Sequence, residues 1–319
     1  MTEPKRPQLL VTGAAGTLAR KVILQLKTTC DVVAVDFREQ LQLGNDVPAY
    51  SLDINQAGLD ELFHQYRFDG IIHLGRAMHR PDYGPDRFRA HAQGTRKLLD
   101  LSLAHNVSRM IVLSTHLVYG PSPTNPVPID ETTPPKLSAL PPALMELESL
   151  YSTYLWRYPH LALTVLRPCH IVGPGVRNTM STLLSAPWAP VLAGFSPMMQ
   201  FIHIDDMADA VIRCWHQPHR GIYNVAPDDW VAYQRALVLS GSTRLPVPSL
   251  PPVLPRTLLK LLNMRHFPPY LMDVLRYPII INGQRFAQDF GFHPRQPLGE
   301  IFRFYRKSRR RGFHEQVSN

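Results

Sequence analysis

The sequence predicts an α/β protein with a doubly wound parallel sheet. The first apolar run, residues 8–12, is short enough for a buried strand, ends at a glycine turn and continues into apolar spacing of helical period over 18–26. Similar short apolar runs then alternate with helical patterns as far as residue 114. Strands that alternate with helices form parallel sheets, which bind ligands at the carboxyl ends of their strands. We therefore expect ligand-binding residues directly after the strands.

The same pattern places the individual elements. Strands are predicted where apolar residues, many of them β-branched, run without interruption, and helices where apolar residues recur every three or four positions. One long helix is predicted to begin near Pro141, because proline fits the first helical turn but not the interior. The predicted strands are 8–12, 31–36, 49–54, 70–74, 110–114 and 161–167, and the predicted helices are 18–26, 59–66, 86–105, 141–158, 258–262, 285–290 and 298–305.

Length and composition indicate an enzyme-like globular protein. The 319 residues, 45% of them apolar, can bury one large core or the cores of two closely packed lobes. Cys30, Cys169 and Cys214 are few and far apart, which favours a reducing compartment over disulfides or a zinc site. With a short polar start and no apolar stretch long enough to cross a bilayer, the chain is expected to be cytoplasmic and to hold no metal.

The net charge of +9 is concentrated near the C-terminus. Six arginine and lysine residues lie within 303–311 with no acidic residue among them, so the rest of the chain carries only +3. A charge confined to one end does not predict a nucleic-acid-binding domain. The basic segment is either a solvated helix end or a weak contact for anionic membranes, since aromatic residues at 302, 304 and 305 interleave with the charges.

The glycine turn predicts a dinucleotide cofactor. Gly13 permits a tight turn, Gly16 lets phosphate approach the N-terminus of the helix, and Ala19 fits where helix and strand pack closely. Asp36 ends the second strand 23 residues after Gly13, where a carboxylate binds the adenosine ribose hydroxyls. That carboxylate repels a 2′-phosphate and favours NAD, although Arg38 nearby could accept the phosphate of NADP.

With these motifs and others along its length, the chain resembles the extended short-chain dehydrogenase/reductases, specifically the NAD-dependent epimerase/dehydratase family. The resemblance implies a Rossmann-type NAD-binding domain over 1–170, with a returning segment at about 200–230, and a smaller, mostly C-terminal substrate lobe over 171–319 that ends in the basic tail. The matching stretches are the glycine loop, Asp36, 52–54, 72–75, 94–99, 114–120, 166–168, 172–175, 201–206 and 221–224.

The resemblance also implies the residues that contact the cofactor, most of them at the ends of predicted strands. Relatives often form homodimers through the helices equivalent to 86–105 and 141–158, so a homodimer is expected here. The implied cofactor-binding residues are Gly13, Ala15, Gly16, Thr17, Leu18, Asp36, Asp53, Ile54, Leu74, Gly75, Arg76, Leu113 and Pro168.

The proton-transfer residues of this family are only partly present. Its chemistry resembles a hydride transfer assisted by a hydroxyl, here Thr115 four residues before Tyr119, and by a tyrosine and lysine spaced four apart on one helix face. Counting back from Arg167 places the tyrosine position at Leu140 and the lysine position at Leu144. No tyrosine anywhere in the chain is followed four residues later by lysine.

Two nearby substitutes lie outside the expected segment. They are Tyr83 with Arg87 and Tyr305 with Arg309, and arginine is a poor proton donor near neutral pH. Histidines instead surround the expected cleft: His91 and His170 stand where relatives have asparagine, His116 follows Thr115, and His79 follows the fourth strand. They could replace the missing acid and base, hold a metal or be structural.

The sequence therefore leaves three functional hypotheses. The first is an NAD(H)-binding protein of epimerase/dehydratase type whose catalysis is lost or strongly altered. The second is an active NAD-dependent oxidoreductase or nucleotide-sugar epimerase that uses Thr115 with Tyr119 or a histidine, with Thr115, His116, His170, Tyr119 and His91 as candidate catalytic residues. The third is a membrane-peripheral module that binds through its basic tail. The apolar segments 258–262 and 268–277 either cover a small-molecule substrate less polar than a nucleotide-sugar or pack in the core.

Overall fold

A seven-stranded parallel sheet forms the centre of the protein. The computed structural model describes residues 5–38, 41, 43–44, 46–75, 85–136, 142–248 and 270–317. The strands lie in the order β11-β6-β5-β4-β1-β2-β3, and every pairing between neighbours is parallel. The sheet strands are β1 (Gln8–Thr12), β2 (Asp31–Asp36), β3 (Ala49–Ser51), β4 (Gly70–His73), β5 (Arg109–Leu113), β6 (Ala162–Pro168) and β11 (Gly221–Val225).

Helices cover both faces of this sheet. Alternate residues of β1 point to opposite sides, so that Leu9 and Val11 join the core shared with α1 and α6, while Leu10 joins the core shared with α2, α3 and α4. This two-sided burial explains the uninterrupted apolar strands and confirms the predicted fold class. The helices named here are α1 (Thr17–Leu26), α2 (Gly58–Gln65), α3 (Pro85–Ala104), α4 (Pro142–Arg157) and α6 (Ile204–His216).

The remaining elements surround a third core in the second half of the chain. Its apolar residues come from four helices, α5, α7, α8 and α10, and from the strands β7, β8, β9 and β10. Phe201 and Phe302 meet there edge to face, with ring centroids 5.3 Å apart. Three strand pairs, β7 with β10, β9 with β12 and β8 with β13, lie outside the central sheet. These elements are β7 (His170–Val172), α5 (Thr179–Ser185), β8 (Trp188–Leu192), β9 (Met198–Met199), β10 (Phe201–His203), β12 (Val231–Ala232), α7 (Tyr233–Ser240), β13 (Thr243–Val247), α8 (Tyr270–Val274), α9 (Gln284–Phe290) and α10 (Leu298–Val317).

The predicted elements agree closely with the observed ones, with two differences. Strand β3 ends at Ser51 rather than at residue 54, because Asp53 accepts hydrogen bonds from the backbone N–H (2.9 Å) and side-chain amide (2.7 Å) of Asn55 and forms a turn. Helix α10 continues to Val317 instead of ending at Tyr305. The predicted helix at 258–262 lies outside the described residues. The domain boundary near residue 170 stays a prediction.

Helix α10 shows what the basic segment does inside the fold. Arg309 donates to the carbonyl oxygens of Ser240 (2.8 Å), Leu184 (2.5 Å) and Ser185 (3.3 Å), at the C-terminal ends of α7 and α5. These carbonyls lack helical partners, and a cation there also interacts favourably with the helix dipole. Arg303 pairs with Glu300 at 2.5 Å. Part of the predicted membrane-facing charge is therefore engaged within the protein.

Replacing Arg309 by alanine should lower the free energy of unfolding by about 2 kcal/mol, since charged hydrogen bonds to two helix ends are lost. Urea denaturation followed by circular dichroism measures this change. Lys307→Ala is the matched control, because Lys307 is an exposed cation on the same helix. Equal effects of the two substitutions would show that Arg309 does not stabilise the helix ends.

No helix in the part of the chain that the structure describes combines the length and apolar character needed to span a bilayer. All three cysteines are buried, and none is bridged to another. Burial raises the pKa values of the Cys169 and Cys214 thiols well above the usual value, which makes both thiols poor nucleophiles.

Candidate cofactor and substrate site

The glycine loop lies at the point where the order of the sheet strands reverses. Strand β1 lies between β2 and β4. In sheets of this kind, ligands bind in the crevice at the carboxyl ends of the strands beside such a point. Gly13 follows β1 with φ of 75°, and a Cβ atom on it would lie 2.4 Å from the backbone nitrogen of Gly75, which follows β4. Only glycine permits this turn and this close approach.

Helix α1 begins directly after that loop with its first turn uncapped by any side chain. Gly16 is the N-cap residue, and a Cβ atom on it would contact only the carbonyl oxygen of Gly13, at 3.1 Å. The first N–H groups of a helix have no helical partners and favour anions. The geometry of the loop thus fits a phosphate group, and the predicted cofactor residues Ala15, Thr17 and Leu18 lie on the loop and the first turn of α1.

Asp36 forms a compact hydrogen-bonded group at the end of β2. Its carboxylate, which is 1% exposed, accepts from the backbone N–H of Ala15 at 3.0 Å and from the backbone N–H of Arg38 at 3.1 Å. The guanidinium of Arg38 also donates to both carboxylate oxygens, at 2.9 and 3.1 Å. Asp36 therefore connects the glycine loop to the end of β2, and Arg38 partly neutralises its charge.

Three other predicted cofactor residues lie at the ends of neighbouring strands. Leu74, Leu113 and Pro168 stand at or just after the carboxyl ends of the neighbouring strands β4, β5 and β6. Thr17 donates from its hydroxyl to the carbonyl oxygen of Gly175 at 2.7 Å and so ties α1 to the turn after β7. Ile54 packs against α3 beside Gly94. Arg76 lies outside the described residues, as do His79, Tyr83 and Leu140.

Helix α4 carries Leu144, the residue aligned with the family's lysine in the sequence analysis, at a buried position. Glu148 on α4 accepts a hydrogen bond from Ser114 and pairs with Arg167, so the rotation of the helix about its axis is fixed. Leu144, one helical turn earlier, lies on the same face. It is 4% exposed and packs in the core shared with Val118 and Tyr119.

The contacts of Glu148 belong to a larger buried network that the sequence analysis missed. Arg167 donates to the Tyr119 hydroxyl at 3.0 Å, and that hydroxyl donates to the side-chain oxygen of Asn224 at 2.8 Å. Burial, the largest effect, raises the pKa of Tyr119 despite the nearby arginine. The signal was available, because a charged residue within an apolar helix face or buried strand requires a partner. Both hydrogen-bonding functions of the Tyr119 hydroxyl are therefore used within this network.

Tyr305 and Arg309, the substitute pair considered from sequence, are also engaged elsewhere. The Tyr305 hydroxyl accepts from the backbone N–H of Gly173 and contacts the Ser181 hydroxyl, each at 2.9 Å. Thr115, in contrast, lies at the end of β5 as predicted. It is buried, and its hydroxyl accepts from the N–H of Leu117 at 3.3 Å.

The predicted histidines separate into two pairs. His91 stacks on His73 with 5.5 Å between ring centroids. The Thr95 hydroxyl donates to the carbonyl of His91, so Nε2 of His73 donates to Thr95 and Nδ1 accepts from Thr12. Burial lowers the pKa of His73 to about 3. His73 is thus neutral and has a structural role. Its partner His91 packs against His73 and not against His116 or His170.

His116 and His170 form the second pair, at a pocket beyond β5 and β7. Their rings meet edge to face, with centroids 4.4 Å apart. The pocket is small and partly open to solvent. Within the described ranges no group of three or more His, Cys, Asp or Glu residues is placed to hold a metal ion. The pocket is lined by His116, His170, Met198, Met199, Val274, Tyr277 and Ile279.

The sheet and its glycine cradle define a dinucleotide-binding protein of Rossmann type. Residues 9–226 match the model of the NAD dependent epimerase/dehydratase family, and the chain belongs to that family. NAD is the cofactor of the family, so the predicted cofactor is confirmed at that level. The predicted residues fit it, since an open glycine turn, an uncapped helix N-terminus and Asp36 meet at one crevice.

Individual relatives extend the comparison. An uncharacterized protein of Mycobacterium tuberculosis is 23% identical over 321 residues, 96% of this chain and 85% of that protein. Mouse UDP-glucose 4-epimerase is 30% identical over 153 residues, 40% of this chain and 42% of the mouse enzyme. The structure of Thermotoga maritima UDP-glucose 4-epimerase with UDP-glucose superposes with a TM-score of 0.76 at 19% identity, covering 96% of this chain and 99% of that one. At that identity the superposition shows the fold.

Proposed function

We propose that this protein binds NAD(H) in the crevice at Gly13, Gly16 and Asp36, and that it lacks the tyrosine- and lysine-assisted proton transfer of its family. The position of Leu144 carries the proposal. The contacts of Glu148 fix the rotation of α4, and Leu144, which the sequence aligns with the family's lysine, is buried on the same face of the helix. An isobutyl group neither donates a proton nor holds a ribose hydroxyl.

The described residues suggest a division of tasks at the site. The glycine loop and the first turn of α1 would bind the pyrophosphate, and Asp36 would hold the adenosine ribose. NAD, when bound, supplies a hydride acceptor, and its reduced form a hydride donor. Leu144 would present an apolar wall that excludes water, while the Thr115 hydroxyl lies at the end of β5. The chain would then work as a cofactor-holding sensor, a scaffold or a strongly altered enzyme.

Calorimetry with NADH tests whether the protein binds the cofactor, and the absence of any NADH binding would contradict the proposal. Stopped-flow absorbance at the nicotinamide band, over a panel of carbonyl compounds and nucleotide-sugars, tests the second half of the proposal. We expect binding without turnover. Turnover at a rate typical of enzymes, about 1 per second or faster, would show that proton transfer persists through other groups.

The histidine pair supports a second candidate, an oxidoreductase that uses an imidazole as acid and base. His116 and His170 both line the pocket, and imidazole is the side chain best suited to proton transfer near neutral pH. Should turnover be found, His116→Ala and His170→Ala would abolish it if this candidate holds. His91→Ala is the comparison, because His91 stacks on His73 and does not line the pocket.

Arg38 should weaken the discrimination between NADH and NADPH. Its guanidinium neutralises Asp36, the group that would repel a 2′-phosphate. Replacing Arg38 by alanine should therefore raise the ratio of the Kd for NADPH to the Kd for NADH by about tenfold, equivalent to about 1.4 kcal/mol. Calorimetry with both cofactors measures the ratio. Asp36→Asn should lower it, and an unchanged ratio in both variants would contradict this role of the pair.

The predicted homodimer through α3 and α4 stays a proposal. The tryptophan at 156 on α4 is 86% exposed, and contact with a second copy would cover this large apolar side chain. Contact of the basic segment with anionic membranes likewise stays a prediction.

A further inference from the structure

Two basic segments, far apart in the sequence, contain no acidic residue. Residues 230–272 include five arginine and lysine residues, and residues 301–314 include six. The rest of the chain has a net charge of −2, so these two segments supply the whole positive charge of the protein. Charge concentrated in this way produces a positive potential over one part of the surface if the two segments meet.

Helices α7 and α10 bring the described parts of both segments together. The two helices pack in the same core and meet at the C-terminal end of α7. There Arg309 donates to the carbonyl oxygen of Ser240 at 2.8 Å. The side chain of Arg306 lies over Gly241, with its Cγ atom 3.3 Å from the position that a Cβ atom would take on that glycine. The two basic segments therefore contribute to one surface.

The solvent side of these helices carries cations without acidic partners. Arg303, Arg306 and Lys307 are exposed and have the spacing of one helix face. Arg303 pairs with Glu300, but within the described residues Arg306 and Lys307 form no ion pair. Arg235 is likewise exposed on α7, a helix that contains no acidic residue. The surface is thus complementary to a negatively charged partner.

Large apolar side chains are exposed beside these cations. Val238 on α7 is 42% exposed, and its carbonyl oxygen accepts from the N–H of Gly241, the glycine under Arg306, at 3.0 Å. Trp188 is 47% exposed and begins β8 three residues after a carbonyl group that accepts from Arg309. An indole and an isopropyl group therefore lie around the same helix ends as the cations.

The aromatic residues within α10 do not belong to this surface. Phe302 and Tyr305 alternate with the charges in sequence, but both are buried and pack in the core. The exposed apolar side chains come instead from α7 and β8, which the sequence analysis did not connect with the basic segment.

We propose that this surface binds the anionic headgroups of a lipid bilayer and places Trp188 at the level of the headgroups. Basic side chains are attracted to an anionic leaflet, and tryptophan prefers the membrane interface because its ring is apolar with one N–H donor. Exposed apolar side chains favour lipid over nucleic acid, whose backbone is contacted mainly by charged and polar groups. The surface comprises Arg235, Val238, Arg303, Arg306, Lys307 and Trp188.

Co-sedimentation of the full-length protein with vesicles tests the role of charge. We expect binding to phosphatidylserine-rich vesicles, little binding to phosphatidylcholine vesicles, and loss of binding when the salt is raised from about 0.1 M to about 1 M. Arg306→Gln combined with Lys307→Gln should weaken binding about 30-fold, because each cation near an anionic surface contributes about fivefold. The control is Lys5→Gln with Arg67→Gln, which removes the same charge from exposed positions before β1 and β4.

A tryptophan variant tests the apolar contact. Trp188→Ala should weaken binding to phosphatidylserine-rich vesicles about tenfold, since the burial of a half-exposed indole is lost. Phe37→Ala is the control, because Phe37 is an exposed aromatic residue directly after β2. Circular dichroism of each variant checks that the fold is retained.

Three results would overturn the inference. The first is the absence of binding to phosphatidylserine-rich vesicles. The second is an equal loss of binding in the two charge variants, which would show that net charge acts without this surface, or an affinity unchanged by Trp188→Ala. The third is binding to a double-stranded oligonucleotide without binding to vesicles, which would assign the surface to a polyanion in solution.

Discussion

Replacing Glu148 by alanine is expected to lower the free energy of unfolding by about 4 kcal/mol, a typical loss when one partner of a buried ion pair is removed. Glu148 and Arg167 are each only 2% exposed in their side chains. Without the carboxylate, the guanidinium keeps its charge in the core, and Ser114 loses its acceptor. Urea denaturation followed by circular dichroism gives the free energy directly.

Two comparisons show whether this loss comes from the buried charge. Glu300→Ala breaks an exposed pair with Arg303 and should change the free energy of unfolding by less than about 0.5 kcal/mol. Glu148→Leu combined with Arg167→Met removes both charges and should cost less than Glu148→Ala alone. A Glu148→Ala protein as stable as the Glu300→Ala protein would show that the pair does not hold α4 against the sheet.

The elements of this fold were predictable because their signals are local. The inner strands of the central sheet are buried on both faces and are therefore mostly apolar. Helix α4 begins within one residue of the predicted position because proline marks its first turn. The end of β3 was missed because the turn at Asp53 depends on a side-chain hydrogen bond. A carboxylate in that position looks the same in sequence whether it ends a strand or continues it.

The candidate site was predictable in its cofactor half and only partly in its substrate half. Gly13, Gly16 and Asp36 follow a fixed spacing within one βαβ unit, so sequence alone placed them together. Which histidines would meet was not a matter of spacing. His116 and His170 belong to different strand ends, while His91 lies on a helix and packs against a strand residue. The sequence analysis predicted that all of these histidines surround one cleft. The separation into two pairs depends on tertiary packing, which the sequence pattern does not show.

The extended α10 shows the same limit for charge. Six basic residues near the chain end predicted a solvated segment or a membrane contact, since neighbouring charges of one sign repel each other. The carbonyl oxygens that Arg309 binds belong to α5 and α7, more than 60 residues away in sequence. A partner so distant leaves no pattern around the arginine itself.

Replacing Gly13 by alanine should have the largest effect on the proposed activity and reduce NADH affinity at least about 100-fold, or by about 2.7 kcal/mol. The added methyl carbon would lie 2.4 Å from the backbone nitrogen of Gly75, so the loops after β1 and β4 must separate. That separation displaces the first turn of α1, where the phosphates would bind. Calorimetry with NADH measures the loss.

Gly194→Ala isolates the effect of the close approach from that of backbone strain. Gly194 has a φ of 83°, similar to the 75° of Gly13, but no atom lies within 4 Å of the position where its Cβ would be placed. Both substitutions add a left-handed alanine that costs about 1 kcal/mol, and only Gly13→Ala adds a collision at the cofactor crevice. NADH affinity should therefore be unchanged in Gly194→Ala. If Gly13→Ala kept full NADH affinity as well, the cofactor would have to bind without the turn that joins β1 to α1, which would contradict the role assigned to this loop.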